Sequence, residues 1–194
     1  MPEPTAKAEL RRRFKALRDG SPAGERAAWS LLICAHLEAF CLDRGIRRVG
    51  SFGPFGSEVD LSPLERTSLE LFFPRVTGLD PPRLAWGPGP LAPGTWGLRE
   101  PGVVPHPLPP VQLLLVPGLA FAADGHRLGY GKGFYDAVLA VLPADVIVLG
   151  AGFGLQRCDR LPASPLDRPV QGVVTEEGIS WVPAGHPAPA SIIE

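Results

Sequence analysis

With 194 residues, 45% of them apolar and 20% charged, the chain has the length and make-up of one globular domain able to bury a full core. A formal net charge of −1 argues against a nucleic-acid partner held by a general positive field, and no apolar stretch approaches the ~18–20 residues of a membrane span. Three cysteines, Cys34, Cys41 and Cys158, are an odd number without metal-ligand spacing, so a reducing, cytoplasmic setting is expected for this chain, which shows no signal-peptide pattern.

Residues 5–18 read as a basic helix with Leu10, Phe14 and Leu17 on one face and Lys7 and Arg11, four apart, on another. On pattern alone that pair is a solvated basic face. Ser21-Pro22 opens a second helix, with Ser21 expected as its cap, Pro22 at its first position and Arg44-Gly45 as its stop. Its expected core stripe is Ala28, Leu31, Leu32, Ala35, Ala39 and Leu42, and Cys34 and Cys41 read as buried small hydrophobes. A short strand at 47–52 leads into a turn-rich loop from Gly53 to Asp60, where Glu58 lies. Ser62 and Glu65 have capping-box spacing for a further helix, and Leu71 to Phe73 is a strand expected to end at Pro74.

Residues 77–110 are rich in Pro and Gly and predict irregular structure, with a short strand at 84–86 and a compact unit, Trp96-Gly97-Leu98-Arg99-Glu100-Pro101. The run Leu113-Leu114-Leu115-Val116 is a buried central strand. A helix is expected over 134–142 and strands at 146–149, 172–175 and 179–182. Residues 183–194 alternate Pro and Ala and read as a disordered tail after a single domain over 1–182. Alternation of strands and helices predicts an α/β fold with an open, mostly parallel sheet of Rossmann-like type and helices on both faces.

The segment Arg127-Leu128-Gly129-Tyr130-Gly131-Lys132-Gly133-Phe134-Tyr135-Asp136 carries the chemistry. Strand, glycine loop and helix is a layout that offers backbone N–H groups and a helix start to an anion. It is not a Walker A loop, because Gly133 follows Lys132 where Ser or Thr would hold magnesium. It is not a dinucleotide fingerprint either, because Phe134 stands at the third glycine position. A glycine-rich structural turn would not account for the arginine, lysine and aspartate woven between the glycines.

With the preceding Val116-Pro117-Gly118-Leu119-Ala120-Phe121 and Gly125, this segment closely resembles the signature of the 5-formyltetrahydrofolate cyclo-ligases, also called 5,10-methenyltetrahydrofolate synthetases. Collinear matches run from Lys7, Leu10 and Arg11, through Pro54, Glu58-Val59-Asp60 and Phe73-Pro74-Arg75-Val76, to Gln156, Asp167 and Val173-Val174-Thr175. The chain departs from the pattern at Gln112 and Ala122 (both usually Asp), Leu166 (usually His), Phe134 (usually Tyr) and Ala137 (usually Arg).

The resemblance implies an enzyme that uses ATP, as co-substrate, and Mg²⁺ to cyclise 5-formyltetrahydrofolate. It implies ATP binding by Lys7, Arg11, Arg127, Leu128, Gly129, Tyr130, Gly131, Lys132, Gly133, Phe134 and Tyr135, with Lys7 and Arg11 on the phosphates, which reverses the solvated reading of that pair. Lys132 and Arg127 are implied as the catalytic cations. Gly53, Glu58, Tyr130 and Phe134 are implied at the folate, with Trp96 as a further wall. Asp136 and Asp167 are implied as Mg²⁺ ligands. The expected partners are small molecules, with no nucleic acid or membrane, and a monomer is the default. A folate- or nucleotide-binding paralogue without turnover is the alternative that the departures near Asp167 leave open.

Overall fold

The computed structural model of the protein describes residues 6–94 and 97–183; Trp96 and residues 184–194 of the expected tail lie outside them. The basic segment forms α1 (Ala6–Asp19), and α2 follows (Ala23–Arg44), closed by Gly45 at φ 64° with its N–H on the carbonyls of Cys41 and Leu42. Ser21 does not cap α2: Pro22 holds that position, and the Ser21 hydroxyl donates back to the Leu17 carbonyl. The expected core stripe of α2 is also corrected. Leu31, Leu32 and Leu42 are exposed, and the buried face is Ser30, Ile33, Cys34, Leu37 and Cys41. Both sets recur at three- and four-residue spacing, so periodicity offered two faces and the sheet selected the second.

The strands are β1 (Arg48–Gly50), β2 (Glu70–Leu79), β3 (Pro82–Pro88), β4 (Leu91–Pro93), β5 (Arg99–Pro101), β6 (Leu113–Pro117), β7 (Ala120–Ala122), β8 (Arg127–Leu128), β9 (Ile147–Ala151), β10 (Arg157–Cys158), β11 (Gly172–Thr175) and β12 (Gly178–Trp181), with the six-residue helix α3 (Phe134–Leu139) between β8 and β9. Seven of them form one sheet in the order β12-β11-β9-β6-β1-β2-β3. Its five central strands are parallel and both edges antiparallel, the open, mostly parallel α/β sheet expected.

β6 shows why its apolar run is continuous. Leu113 and Leu115 face the core under α2, while Leu114 and Val116 face a second core with Trp86, Phe121 and Val138. Helices thus cover both faces. A third cluster joins Phe14 of α1 to Leu119, Ala120, Ala122 and Leu128. Ala120, Ala122 and Leu128 belong to the small sheet β10-β7-β8, so α1 sits beside the start of the glycine loop.

Three further expectations are revised. Pro74 does not end β2. β1 pairs with β2 only as far as Phe72, so a residue without an N–H costs no ladder bond on that side at position 74. Ser62 caps no helix. Asp60 Oδ1 takes its N–H at 2.9 Å, and the segment is one 3-10 turn, Ser62–Arg66, closed by Thr67 on the Leu64 carbonyl. Much of 77–110 is ordered as β3 and the β4–β5 hairpin, which a sequence read for turn residues hides.

Candidate active site

Within the parallel part of the sheet, β1 connects outward to β2 on one side, while β6, β9 and β11 extend on the other. The strand order therefore reverses between the parallel neighbours β1 and β6, and ligands in open α/β sheets bind beyond the strand C-termini at such a point. The loop after β1 carries Gly53 and Glu58; the segment after β6 turns through β7 and β8 into the glycine loop. Between them lies a cavity of about 950 Å³, walled by these two loops, by α1 and α3, and by residues 164–168.

The glycine loop forms one wall. Gly131 and Gly133 take φ of 87° and 73°, which a residue with a Cβ rarely adopts. α1 lies against the loop: Arg11 Nε donates to the Gly129 carbonyl at 2.9 Å, and a Cβ on Gly131 would stand 3.0 Å from Arg11 Nη2. Lys132 is exposed on the loop and lines the cavity. Leu128 is buried in the cluster beneath α1, so its side chain is structural. Phe134 lines the cavity. Tyr135 packs edge-on to Trp86, 6.4 Å between centroids, with the Arg127 guanidinium 5.6 Å from its ring; burial pushes its hydroxyl pKa up. With only six residues, α3 brings little macrodipole to an anion; the loop backbone is the stronger feature.

Two ion pairs stand next to the loop. Arg127 Nη2 donates to Asp136 Oδ1 at 2.9 Å, with the arginine side chain 5% exposed. Arg127 Nε is buried and has no hydrogen-bond partner among the described residues. Lys7 Nζ lies 2.5 Å from Asp167 Oδ2. Burial raises the Asp167 carboxyl, but the Lys7 ammonium and the Ser164 N–H outweigh it and hold it below the ordinary value. The Arg168 N–H points at Asp136 Oδ1 from 3.5 Å, so the chain segment that carries Asp167 reaches Asp136. Among the described residues no three His, Cys, Asp or Glu side chains gather as an all-protein metal cage. The Asp136–Asp167 pair is the hard-oxygen set that could hold a cation shared with a phosphate.

Glu58 occupies the opposite side, its side chain 6% exposed. Its Oε2 accepts the Phe55 N–H at 3.0 Å. Burial raises its pKa against the lowering effects of that N–H, of Arg18 and of the Tyr130 hydroxyl. Tyr130 and Phe55, both partly exposed, meet edge to face at 6.1 Å. Gly53 is a glycine for a packing reason: a Cβ there would come within 2.8 Å of the Arg99 carbonyl in the β4–β5 hairpin.

Of the residues implied at ATP, folate or Mg²⁺, every one described lines this cavity, while Trp96 lies outside the described residues. Sequence reasoning missed Arg18, Phe55 and Arg168. Arg18 follows Lys7 by eleven residues, three helical turns, which places the two on one face; that spacing was the available signal. Two departures have visible consequences. Gln112 Oε1 accepts the N–H groups of Arg47 and Arg48 at 2.9 and 3.1 Å, fixing the start of β1. Leu166 is 79% exposed at the cavity rim.

The model of the 5-formyltetrahydrofolate cyclo-ligase family matches residues 3–176. A 5-formyltetrahydrofolate cyclo-ligase of Mycolicibacterium smegmatis is 36% identical over 146 residues, 66% of this chain and 73% of that protein. One from Mus musculus is 30% identical over 190 residues, covering 88% of this chain and 92% of its own length. The solved 5,10-methenyltetrahydrofolate synthetase of Aquifex aeolicus superposes with a TM-score of 0.78 at 30% identity, covering 96% of this chain and 97% of that one. The chain belongs to the 5-formyltetrahydrofolate cyclo-ligase family, ligases that convert 5-formyltetrahydrofolate to 5,10-methenyltetrahydrofolate at the expense of ATP.

Proposed function

We propose that this cavity holds ATP and 5-formyltetrahydrofolate together and transfers the γ-phosphoryl group to the formyl oxygen. The observation that carries this reading is the glycine loop's position. One side of the loop faces Lys7, Arg11 and the paired aspartates, and the other presents Tyr130 beside Glu58, within a single cavity. A formyl oxygen on N5 is a poor leaving group. Phosphorylating it, with the N5 lone pair pushing in, gives an iminium phosphate and ADP. The N10 nitrogen attacks that carbon, phosphate leaves with the former formyl oxygen, and N10 gives up its proton to yield the methenyl bridge.

The protein's share is positioning and charge stabilisation. Gly129, Gly131 and Gly133 supply backbone N–H groups to the phosphates, and Lys132 and Arg127 take the charge of the transferring group. The unpartnered Arg127 Nε supports this assignment, since a phosphate oxygen would satisfy it. Lys7 and Arg11 hold the nucleotide from α1. Glu58, Tyr130, Phe134 and Gly53 take the folate. Asp136 and Asp167 fit Mg²⁺, which commonly uses one or two carboxylates together with substrate phosphates; when bound, it offsets phosphoryl charge. Among the described residues no helix is long and apolar enough to cross a membrane.

The test mixes protein, Mg-ATP and 5-formyltetrahydrofolate and follows methenyl absorbance in the near ultraviolet. An ATP-dependent rise is expected. Binding of both ligands without any rise at ample enzyme would replace the enzyme with a binding paralogue.

A further inference from the structure

α1 is a basic helix whose arginines at 12 and 13 are exposed, yet Arg18 near its end is only 1% exposed. A guanidinium cannot shed its charge, so it is buried only where partners meet it. Arg18 meets three side chains on two loops at once. Its Nε donates to Ser57 Oγ at 3.0 Å, its Nη2 donates to the Tyr130 hydroxyl at 2.7 Å, and its Nη1 stands 3.9 Å from Glu58 Oε1. Ser57 in turn donates to Asp19, which Lys15 pairs.

Resting on the function proposed above, we infer that Arg18 is a positioning residue for folate: it fixes the Glu58 carboxylate and the Tyr130 hydroxyl as one recognition unit. Its planar fork sets two groups on different loops at a constant separation, which a flexible ammonium would not do. Tyr130 and Phe55 each leave about two-fifths of their surface exposed, and Glu58 lies next to them. A flat heterocycle bearing N–H donors is the chemistry that two aromatic faces and a buried carboxylate recognise together. A purely structural bolt between α1 and the loop would have no need of a partner on the cavity wall. The ATP side is served by Lys7 and Arg11, further toward the start of α1, so Arg18 acts on one substrate and not the other.

The groups facing Glu58 are Arg18 of α1, Tyr130 of the glycine loop, the Phe55 N–H of its own loop and, through longer-range charge, Tyr135 of α3. Removing Arg18 removes one influence that favours the carboxylate, so the acid limb of folate kcat/KM moves to higher pH.

The test compares wild type with Arg18→Met, Arg18→Lys, Glu58→Gln and the double variants. Arg18→Met should raise KM for 5-formyltetrahydrofolate by roughly tenfold to a hundredfold, the value of a hydrogen bond to a charged group, and leave KM for ATP within about twofold. Arg18→Lys should return the acid limb toward wild type while recovering the folate KM only in part. In the Glu58→Gln background either Arg18 change should cost much less than alone. Calorimetric binding of each substrate reads the same variants independently of turnover. A wild type that binds folate without cyclising it would sink the enzymatic reading and still leave Arg18 to be judged. Equal effects on both substrates, additivity with Glu58→Gln, or an unchanged folate KM in folded Arg18→Met would overturn the proposal. If Arg18→Met does not fold, the Arg18→Lys and Glu58→Gln cycle decides.

Discussion

Glu58 carries an opposition between burial and charge. Its side chain is almost fully enclosed, and burial raises its pKa despite the Phe55 N–H, Arg18 and Tyr130. A carboxyl that binds its proton more tightly folded than unfolded contributes stability that is fully present below the ordinary value of 4.5 and is lost as pH climbs through the raised one. As pH rises above 4.5, Glu58→Gln should therefore lose less thermal stability than wild type, because it lacks the group whose raised pKa costs stability on ionising. Identical slopes would mean that Glu58 ionises as it does in water. The sequence showed that a carboxylate lay in a turn-rich loop after a strand, and family resemblance gave it to the folate. Helical spacing from Lys7 puts Arg18 on the same face of α1, but it does not show that Arg18 meets Glu58, because a long-range contact between helix and loop leaves no local pattern. The same holds for Arg127, whose pairing with Asp136 across nine residues depends on the loop's path.

At the scale of elements, the glycine loop and α1 behave as one unit. The alternating glycines were legible from spacing, and the failure of both common nucleotide motifs already marked an anion loop of another kind. The bracing of that loop by Arg11 was not legible, since on pattern alone the basic face of α1 reads as solvated. Gly131 sits at φ 87° and directly under the Arg11 guanidinium. Gly131→Ala should cost roughly 1–2 kcal/mol of stability for the left-handed backbone. It should reduce kcat/KM for ATP by more than that stability loss explains, because Arg11 and the loop must part. Chemical denaturation and steady-state kinetics on the same preparation check this. A variant as active as wild type would show that the loop tolerates a side chain and does not approach the phosphates closely. α2 gives the contrary lesson: with apolar residues on two faces, its periodicity could not say which one the sheet would bury.

For the whole molecule, the topology brings distant segments together. Reversal of strand order between β1 and β6 sets the Glu58 loop and the glycine loop facing one another, and α1 closes the gap by packing on β7 and β8. The parallel sheet was legible from the buried runs at 113–116 and 146–149. The β4–β5 hairpin was not, because its strands are three residues each and lie among prolines and glycines. With ATP and folate meeting in this one cavity, the formyl oxygen receives the phosphoryl group. Turnover of 5-formyltetrahydrofolate carrying ¹⁸O in the formyl group, with mass spectrometry of the released phosphate, tests it most directly. One ¹⁸O atom is expected in each inorganic phosphate formed. Unlabelled phosphate, with the heavy oxygen recovered in water, would contradict it.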